Sequence, residues 1–290
     1  MKFDKNTKIL IVGLGLIGGS YAKALSDEGY FVGAIDKKKS SVEYALKNGL
    51  IQVGETSVKK DFVKDFDLIV FALYPHDFIN WIKEYQSSIK SGALITDVTG
   101  VKSFVVENVQ KILRGDLEFV GAHPMAGKEV SGVENADPKI FVGANYIVTP
   151  TKRNTDENVQ AVQDLGRALG FERISSLSPE EHDETVGFLS HLTHCIAVSL
   201  MVSKKSQHLA EYTGDSFRDL TRIAKINDEM WSELFLANKD ELLKQMDLFE
   251  EKFNQLKEDI KNDNREKIRE TLRESTARRK VFDKDAKETK

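Results

Sequence analysis

The amino-terminal part of the chain alternates short apolar runs with amphipathic stretches. Lys8 to Val12 (KILIV) is β-branched and apolar, the pattern of a parallel strand buried on both faces. A helical pattern follows through Ser20, Ala22, Ala24 and Leu25; Gly29 ends it, and Phe31 to Ile35 forms a second strand closing on Asp36. The alternation predicts a helix over 41–48, a central strand from Asp67 to Leu73 (DLIVFAL) and an amphipathic helix over 78–89. A strand over 93–98 (ALITDV) and a helix over about 103–113 come next. Phe119 to Ala122 reads as a strand end that delivers His123, stopped by Pro124 and followed by the small residues Ala126 and Gly127. Late strands are expected at 145–148 and 172–175, flanking a helix over about 157–169. Strands alternating with helices predict an α/β architecture with a doubly wound, mostly parallel sheet. Such sheets bind ligands outside the strand carboxyl ends, so Tyr74-Pro75, Thr99-Gly100 and His123-Pro124 are expected to line one crevice.

The pattern changes at Ser178. Ser178-Pro179-Glu180-Glu181 is a helix start, with serine as N-cap, proline at the first helical position and glutamate at N3. Beyond it there is no further proline and the periodicity is helical to about 205, again over 217–225, from 229 to about 260 and over 265–282, with a charged tail after that. These patterns predict two domains, 1–177 and an all-α part over 178–290.

Composition narrows the function. The chain has 290 residues, 40% hydrophobic and 30% charged, with a net charge of −4. No global basic field points to nucleic acid or a membrane surface. The lone Cys195 permits no internal disulfide, so a reducing, cytoplasmic setting is expected. The first apolar run, Ile9 to Val12, is too short for a signal peptide or a membrane span.

Between the first strand and its helix lies Gly13-Leu14-Gly15-Leu16-Ile17-Gly18. This GxGxxG spacing allows a tight turn, brings backbone N–H groups to a pyrophosphate and aims a helix amino terminus at it. Asp36 stands where a carboxylate accepts ribose hydroxyls, which favours NAD over NADP. Lys37, Lys38 and Lys39 follow and weaken that preference, since cations there could hold a 2′-phosphate; the preferred reading is a solvated loop. The cofactor contacts expected are Gly13, Gly15, Leu16, Ile17, Gly18, Asp36, Leu73 and Thr99.

In the helical part, 100° per residue places Asp183, Gly187, His191 and His194 within about 80° of one another, with His182 about 120° from His194. A three-histidine metal site is therefore not expected, and the histidines are either bundle-core hydrogen-bonding groups or site residues. Arg218 and Arg222, at i and i+4, read either as a solvated charged face with Asp219 or as an anion clamp. Trp231 reads as core.

Five segments, VGLGLIGGS, DVTGVKS, HPMAGKE, HDETVGFLSHLTH and FRDLTRIA, together resemble the prephenate and arogenate dehydrogenases of tyrosine biosynthesis. The resemblance implies a Rossmann domain followed by a helical dimerisation domain, hence a homodimer. It implies NAD-dependent oxidative decarboxylation of prephenate, or of arogenate, without a metal. It makes His123 the base on the substrate's ring hydroxyl, Arg222 the holder of a substrate carboxylate and His194 a further pocket residue. Glu129 and Asp183 match residues associated with access to the pocket, and Gly127 and Arg218 are expected to contact substrate. The family's serine in the DxGSxK turn is here Gly100, so Thr99 or a water is expected to replace its hydroxyl. Lys128 and Thr193 are further departures from the family pattern. The remaining alternatives are a dehydrogenase of another hydroxy acid and a catalytically silent NAD-binding sensor.

Overall fold

The computed structural model describes residues 1–205 and 208–282. The chain forms two compact units, Met1–Lys239 and Asp240–Lys290. The first is built on β1 (Lys8–Val12), β2 (Phe31–Ile35), β3 (Val53–Glu55), β4 (Leu68–Phe71), β5 (Leu94–Asp97) and β6 (Glu118–Phe119). They form one parallel sheet in the order β3-β2-β1-β4-β5-β6. Successive side chains point to opposite faces, so Ile9, Ile11, Leu68 and Val70 enter one core while Leu10, Val12, Ile69 and Phe71 enter another. Helix α1 (Leu16–Asp27) covers the first face with Tyr21, Ala22 and Leu25. After α2 (Lys39–Lys47) and α3 (Lys60–Val63), helices α4 (Pro75–Tyr85) and α5 (Ser103–Ile112) cover the second face with Phe78, Ile82, Val105 and Val109. Burial on both faces is why these strands read as continuous apolar runs. β3, three residues long, carries too little periodicity to be read from the sequence.

The doubly wound parallel sheet is present as expected, but the late strands do not join it. β7 (Gly121–Pro124), β8 (Asn145–Thr149) and β9 (Arg173–Ser176) form a separate three-stranded sheet, with α6 (Asp156–Ala168) between β8 and β9. β7 runs antiparallel to β8, and β9 parallel to it. The chain leaves the parallel sheet at Val120, whose N–H still bonds the Ile95 carbonyl at 3.0 Å. The following amide along that edge, of Ala122, is taken at 3.0 Å by the Asp97 carboxylate rather than by a backbone carbonyl. His123 thus lies inside β7, opposite Ile147, and not at the end of a parallel strand.

The predicted helix start is present in full. Ser178 Oγ accepts from the Glu181 amide at 3.1 Å, and Glu181 accepts from the Ser178 amide at 2.8 Å. Helix α7 (Pro179–Val186) continues through a π-helical segment, Gly187–Leu192, into α8 (Thr193–Val202). Among the described residues, Pro179–Val202 is the one helix whose length and composition would let it cross a membrane. Its His182, Asp183 and His191 are buried against the rest of the first unit. Helix α9 (Asp215–Thr221) ends in a 3-10 turn at Arg222–Ala224, and α10 (Asp228–Ala237) follows. The single helix expected from 229 to about 260 is interrupted at Asn238, whose backbone (φ −112°, ψ 30°) is not helical.

The second unit consists of most of α11 (Lys239–Lys261) and of α12 (Arg265–Arg279). Asp263, at φ 51°, turns the chain between them. Leu243, Met246, Phe249 and Phe253 form an exposed apolar stripe along α11. The expected charged tail beyond 282 lies outside the described residues.

Candidate active site

The glycine-rich turn is shaped as its spacing requires. Gly13 has φ +99°, and a Cβ there would lie 2.4 Å from the Ala72 carbonyl oxygen and 3.0 Å from Leu73 Cδ2. A Cβ on Gly18 would lie 1.9 Å from the Gly13 carbonyl oxygen. Gly15, the N-cap of α1, is exposed and faces open space, so its bare backbone leaves room at the helix amino terminus for an anion. Leu16 and Ile17 open the helix, with Leu16 buried and Ile17 packed against the core. Asp36 accepts the Leu14 amide at 2.6 Å and the Lys38 amide at 2.7 Å, which fixes its carboxylate beside the turn. Lys37, Lys38 and Lys39 are exposed, and Lys39 pairs with Glu43 at 3.4 Å.

At the end of β5 lies a group of buried charges. The Lys102 ammonium, fully buried, is 2.6 Å from Asp97 Oδ2 and donates to Thr99 Oγ1 at 3.0 Å. Burial pushes the Lys102 pKa down, and Asp97 and Asp183 oppose the shift. Asp97 also accepts from the amide and the hydroxyl of Thr99. The Thr99 hydroxyl is therefore consumed inside this network and does not replace the missing serine hydroxyl toward a cofactor or His123. At Gly100 no side chain takes that place, and a Cβ there would be in van der Waals contact with its neighbours, 3.8 Å from His123 Cε1 and 3.6 Å from Leu234 Cδ1.

His123 is half-buried, and its Nδ1 shares a 2.8 Å hydrogen bond with His182 Nε2. His182 Nδ1 in turn donates to Asp183 Oδ1 at 2.8 Å. Asp183 also accepts the Lys102 and Ser103 amides, each at 2.8 Å, one on each carboxylate oxygen. These amides are unsatisfied donors at the start of α5, and a carboxylate there is favoured by the helix dipole. Burial pushes the His123 pKa well below 6.5, reinforced by the charges of His182, Lys102 and His191. The His182 pKa is also lowered, mainly by burial, with Asp183 opposing.

This geometry corrects two expectations. Asp183 is 2% exposed and its oxygens are engaged with His182 and α5, so it lines no access route and is not a substrate contact. His182, which the helical wheel set apart, is the residue that touches His123. The wheel assumed uniform α-helical rotation, which the π turn at Gly187–Leu192 interrupts. Wheel angles also rank faces within one helix without saying which face meets β7.

Around this core, His194 stacks on Trp231 with ring centroids 3.7 Å apart, and its Nδ1 donates to the Ser190 carbonyl at 2.9 Å. Trp231, read as core, is thus a wall for a site residue. Burial lowers the His194 pKa, with nearby Glu129 opposing and Arg222 adding to the shift. Arg222 is ion-paired with Glu129. His191 is buried between Asn238, whose amide lies 3.2 Å away and also bonds the Asp183 carbonyl at 2.8 Å, and the rings of Trp231 and Phe235. Gly127 is exposed, with open space around its Cα.

Arg218 does not join Arg222. It pairs with Asp215 at 3.0 Å, donates to the Thr213 carbonyl at 2.8 Å and lines a different groove with Met201, Phe217 and Lys225. The i,i+4 pairing fails because α9 ends at Thr221 and Arg222 belongs to a tighter turn. Sequence reasoning also passed over Asp97 and Lys102, although a lysine in an otherwise apolar strand–turn–helix stretch was available as a signal. No group of three or more His, Cys, Asp or Glu side chains suited to a metal occurs among the described residues.

A sheet in the 3-2-1-4-5-6 order, a glycine-lined helix amino terminus and a cluster of hydrogen-bonded histidines define a nucleotide-dependent oxidoreductase. Residues 21–173 match the nucleotide-binding domain of prephenate dehydrogenase, and residues 178–274 match its dimerization domain. The chain belongs to the prephenate dehydrogenase family. It is 34% identical over 247 residues to a prephenate dehydrogenase of Bacillus subtilis, covering 82% of this chain and 66% of that protein. It is 32% identical to one of Lactococcus lactis, covering 86% and 70%. The crystal structure of Aquifex aeolicus prephenate dehydrogenase with hydroxyphenyl propionate and NAD+ matches with a TM-score of 0.87 at 34% identity, covering 96% of this chain and 98% of that one.

Proposed function

We propose that this chain is an NAD-dependent prephenate dehydrogenase that converts prephenate to 4-hydroxyphenylpyruvate and CO2. The observation that carries the reading is a half-buried histidine, His123, anchored through one ring nitrogen on His182 at 2.8 Å and lying beside Gly100. Gly13, Gly15 and Gly18 with Leu16, Ile17 and Leu73 would hold the dinucleotide, and Asp36 its ribose hydroxyls. When bound, the dinucleotide would supply the hydride acceptor for the hydroxyl-bearing ring carbon. His123, kept neutral by burial, takes the hydroxyl proton as that carbon becomes a carbonyl. Loss of CO2 then makes the ring aromatic and the oxygen a phenolate, which recovers the proton from His123. Arg222 exchanges its partner Glu129 for a substrate carboxylate, a charge-assisted contact. His194, with Nδ1 committed to Ser190, presents Nε2 as an acceptor in the pocket.

The enzyme works as a cytoplasmic homodimer. The match to a dimerization domain and the exposed apolar stripe of α11 support the dimer. The intervals of the two family matches, 21–173 and 178–274, support a domain boundary near Leu177. The test is NADH absorbance after mixing protein and NAD+ with prephenate, arogenate or neither. NADH formation with prephenate is expected. Turnover of arogenate alone would change the substrate, and no turnover of either would overturn the reading.

A further inference from the structure

We infer that Asp183 and His182 are positioning residues that set the tautomer of His123, holding its proton on Nδ1 and leaving Nε2 as the base. This rests on the dehydrogenase reading and deepens it. Asp183 receives the Lys102 and Ser103 amides and has no proton to give. His182 Nδ1, 2.8 Å from Asp183 Oδ1, must therefore be the donor. In a neutral ring the other nitrogen, Nε2, then carries a lone pair. His123 Nδ1 lies 2.8 Å from it and must donate, so the lone pair of His123 is on Nε2. No hydrogen bond within the described residues engages that Nε2.

The alternative tautomer of His123 would set two lone pairs against each other inside a buried site. A buried polar pair so arranged loses its hydrogen bond and keeps its desolvation cost. Protonating both rings is opposed by burial and by the Lys102 ammonium. The charged and titratable groups facing the two imidazoles are Asp97 and Lys102 beneath them, Asp183 on α7 and His191 in the π segment. Of these, Asp183 is the one bonded into the chain that ends at His123. The local fold serves this purpose twice. The Ser178 capping box fixes where α7 begins, and the amino terminus of α5 fixes the carboxylate. The same logic gives this family member a rigid base although Gly100 supplies no hydroxyl beside His123.

The decisive measurement is the tautomer itself, read from the imidazole nitrogen resonances of the native, nitrogen-15-labelled protein. His123 in the Nδ1–H form and His182 in the Nδ1–H form are expected, and an Nε2–H form of His123 overturns the inference. This readout needs no substrate, so it stands or falls independently of whether prephenate is turned over. Asp183→Asn lets an amide donate to His182 and reverse the chain. It should lower kcat by at least ~100-fold while prephenate KM and NAD+ affinity stay within ~3-fold. His182→Gln can still accept from His123 and donate to Asp183, and should keep kcat within ~10-fold of native, whereas His182→Leu should lose at least ~100-fold. Equal losses in the Gln and Leu variants, or native kcat in Asp183→Asn, would reduce these residues to packing.

Discussion

Replacing Lys102 by methionine removes a fully buried ammonium with almost no change in side-chain volume. It leaves the Asp97 carboxylate, itself fully buried, with the Ala122 and Thr99 amides and the Thr99 hydroxyl but no counter-charge. The pair is close, at 2.6 Å, and breaking one side of such a pair costs about 3–5 kcal/mol. Cavity formation contributes little, because methionine fills the same channel. For a unit of this size each kcal/mol moves the melting temperature by roughly 2–4 °C, so a fall of roughly 10 °C is expected. Urea unfolding followed by the fluorescence of Trp81 and Trp231 would measure the loss. The double variant Asp97→Asn/Lys102→Met removes both charges and keeps a carbonyl for the Ala122 amide, so it should recover at least about half the loss. The Lys102 charge also opposes protonation of His123, so its removal should move the acidic limb of the rate profile to higher pH. A single variant within ~1 kcal/mol of native, or a double variant no better than the single, would refute the idea that this pair holds the floor of the site.

Three further outcomes follow from the same geometry. Asp36→Ala should weaken NAD+ at least ~10-fold and narrow the preference over NADP+, as read by fluorescence titration; a native protein that already prefers NADP+ would show that the neighbouring lysines dominate. Arg222→Ala should raise prephenate KM at least ~10-fold, since a charge-assisted bond contributes about 1.5–3 kcal/mol, with melting nearly unchanged because its pair with Glu129 is exposed. Native KM with a lowered melting temperature would instead assign Arg222 a structural role. Acid should destabilise the fold, because burial lowers the His191 pKa to about 4 while an unfolded histidine protonates near about 6.5. Below that value the unfolded chain binds more protons, so stability present at neutral pH is lost as pH falls. Between pH ~7 and ~5 the difference amounts to about 2 kcal/mol for His191 alone, and His123 and His182 act in the same direction. Equal urea midpoints at the two pH values would contradict it.

Local chemistry is legible in the sequence wherever one short stretch carries the whole argument. GxGxxG needs only its own backbone, and the structure shows Gly13 and Gly18 without room for a Cβ. The Ser178 capping box and the apolar strands β1, β2, β4 and β5 likewise depend on neighbours within a few residues. His123 is legible because it closes an apolar run between the nucleotide-binding pattern and the histidine- and arginine-bearing helical part. What the sequence left open all involves residues brought together from far along the chain. Where the parallel sheet gives way to the second one, the Asp97 side chain takes the Ala122 amide in place of a backbone carbonyl, a contact no strand pattern encodes. The His123–His182–Asp183 chain spans 59 residues in its first link, and it runs through a helix whose π turn breaks the periodicity that the wheel assumes. Arg218 and Arg222 part company because the helix ends between them, at Thr221. Sequence fixes which groups are available and how each segment is wound. Which nitrogen of His123 faces the substrate, and which charges lie beneath it, is decided only when buried polar groups from four separate segments have to satisfy one another without water.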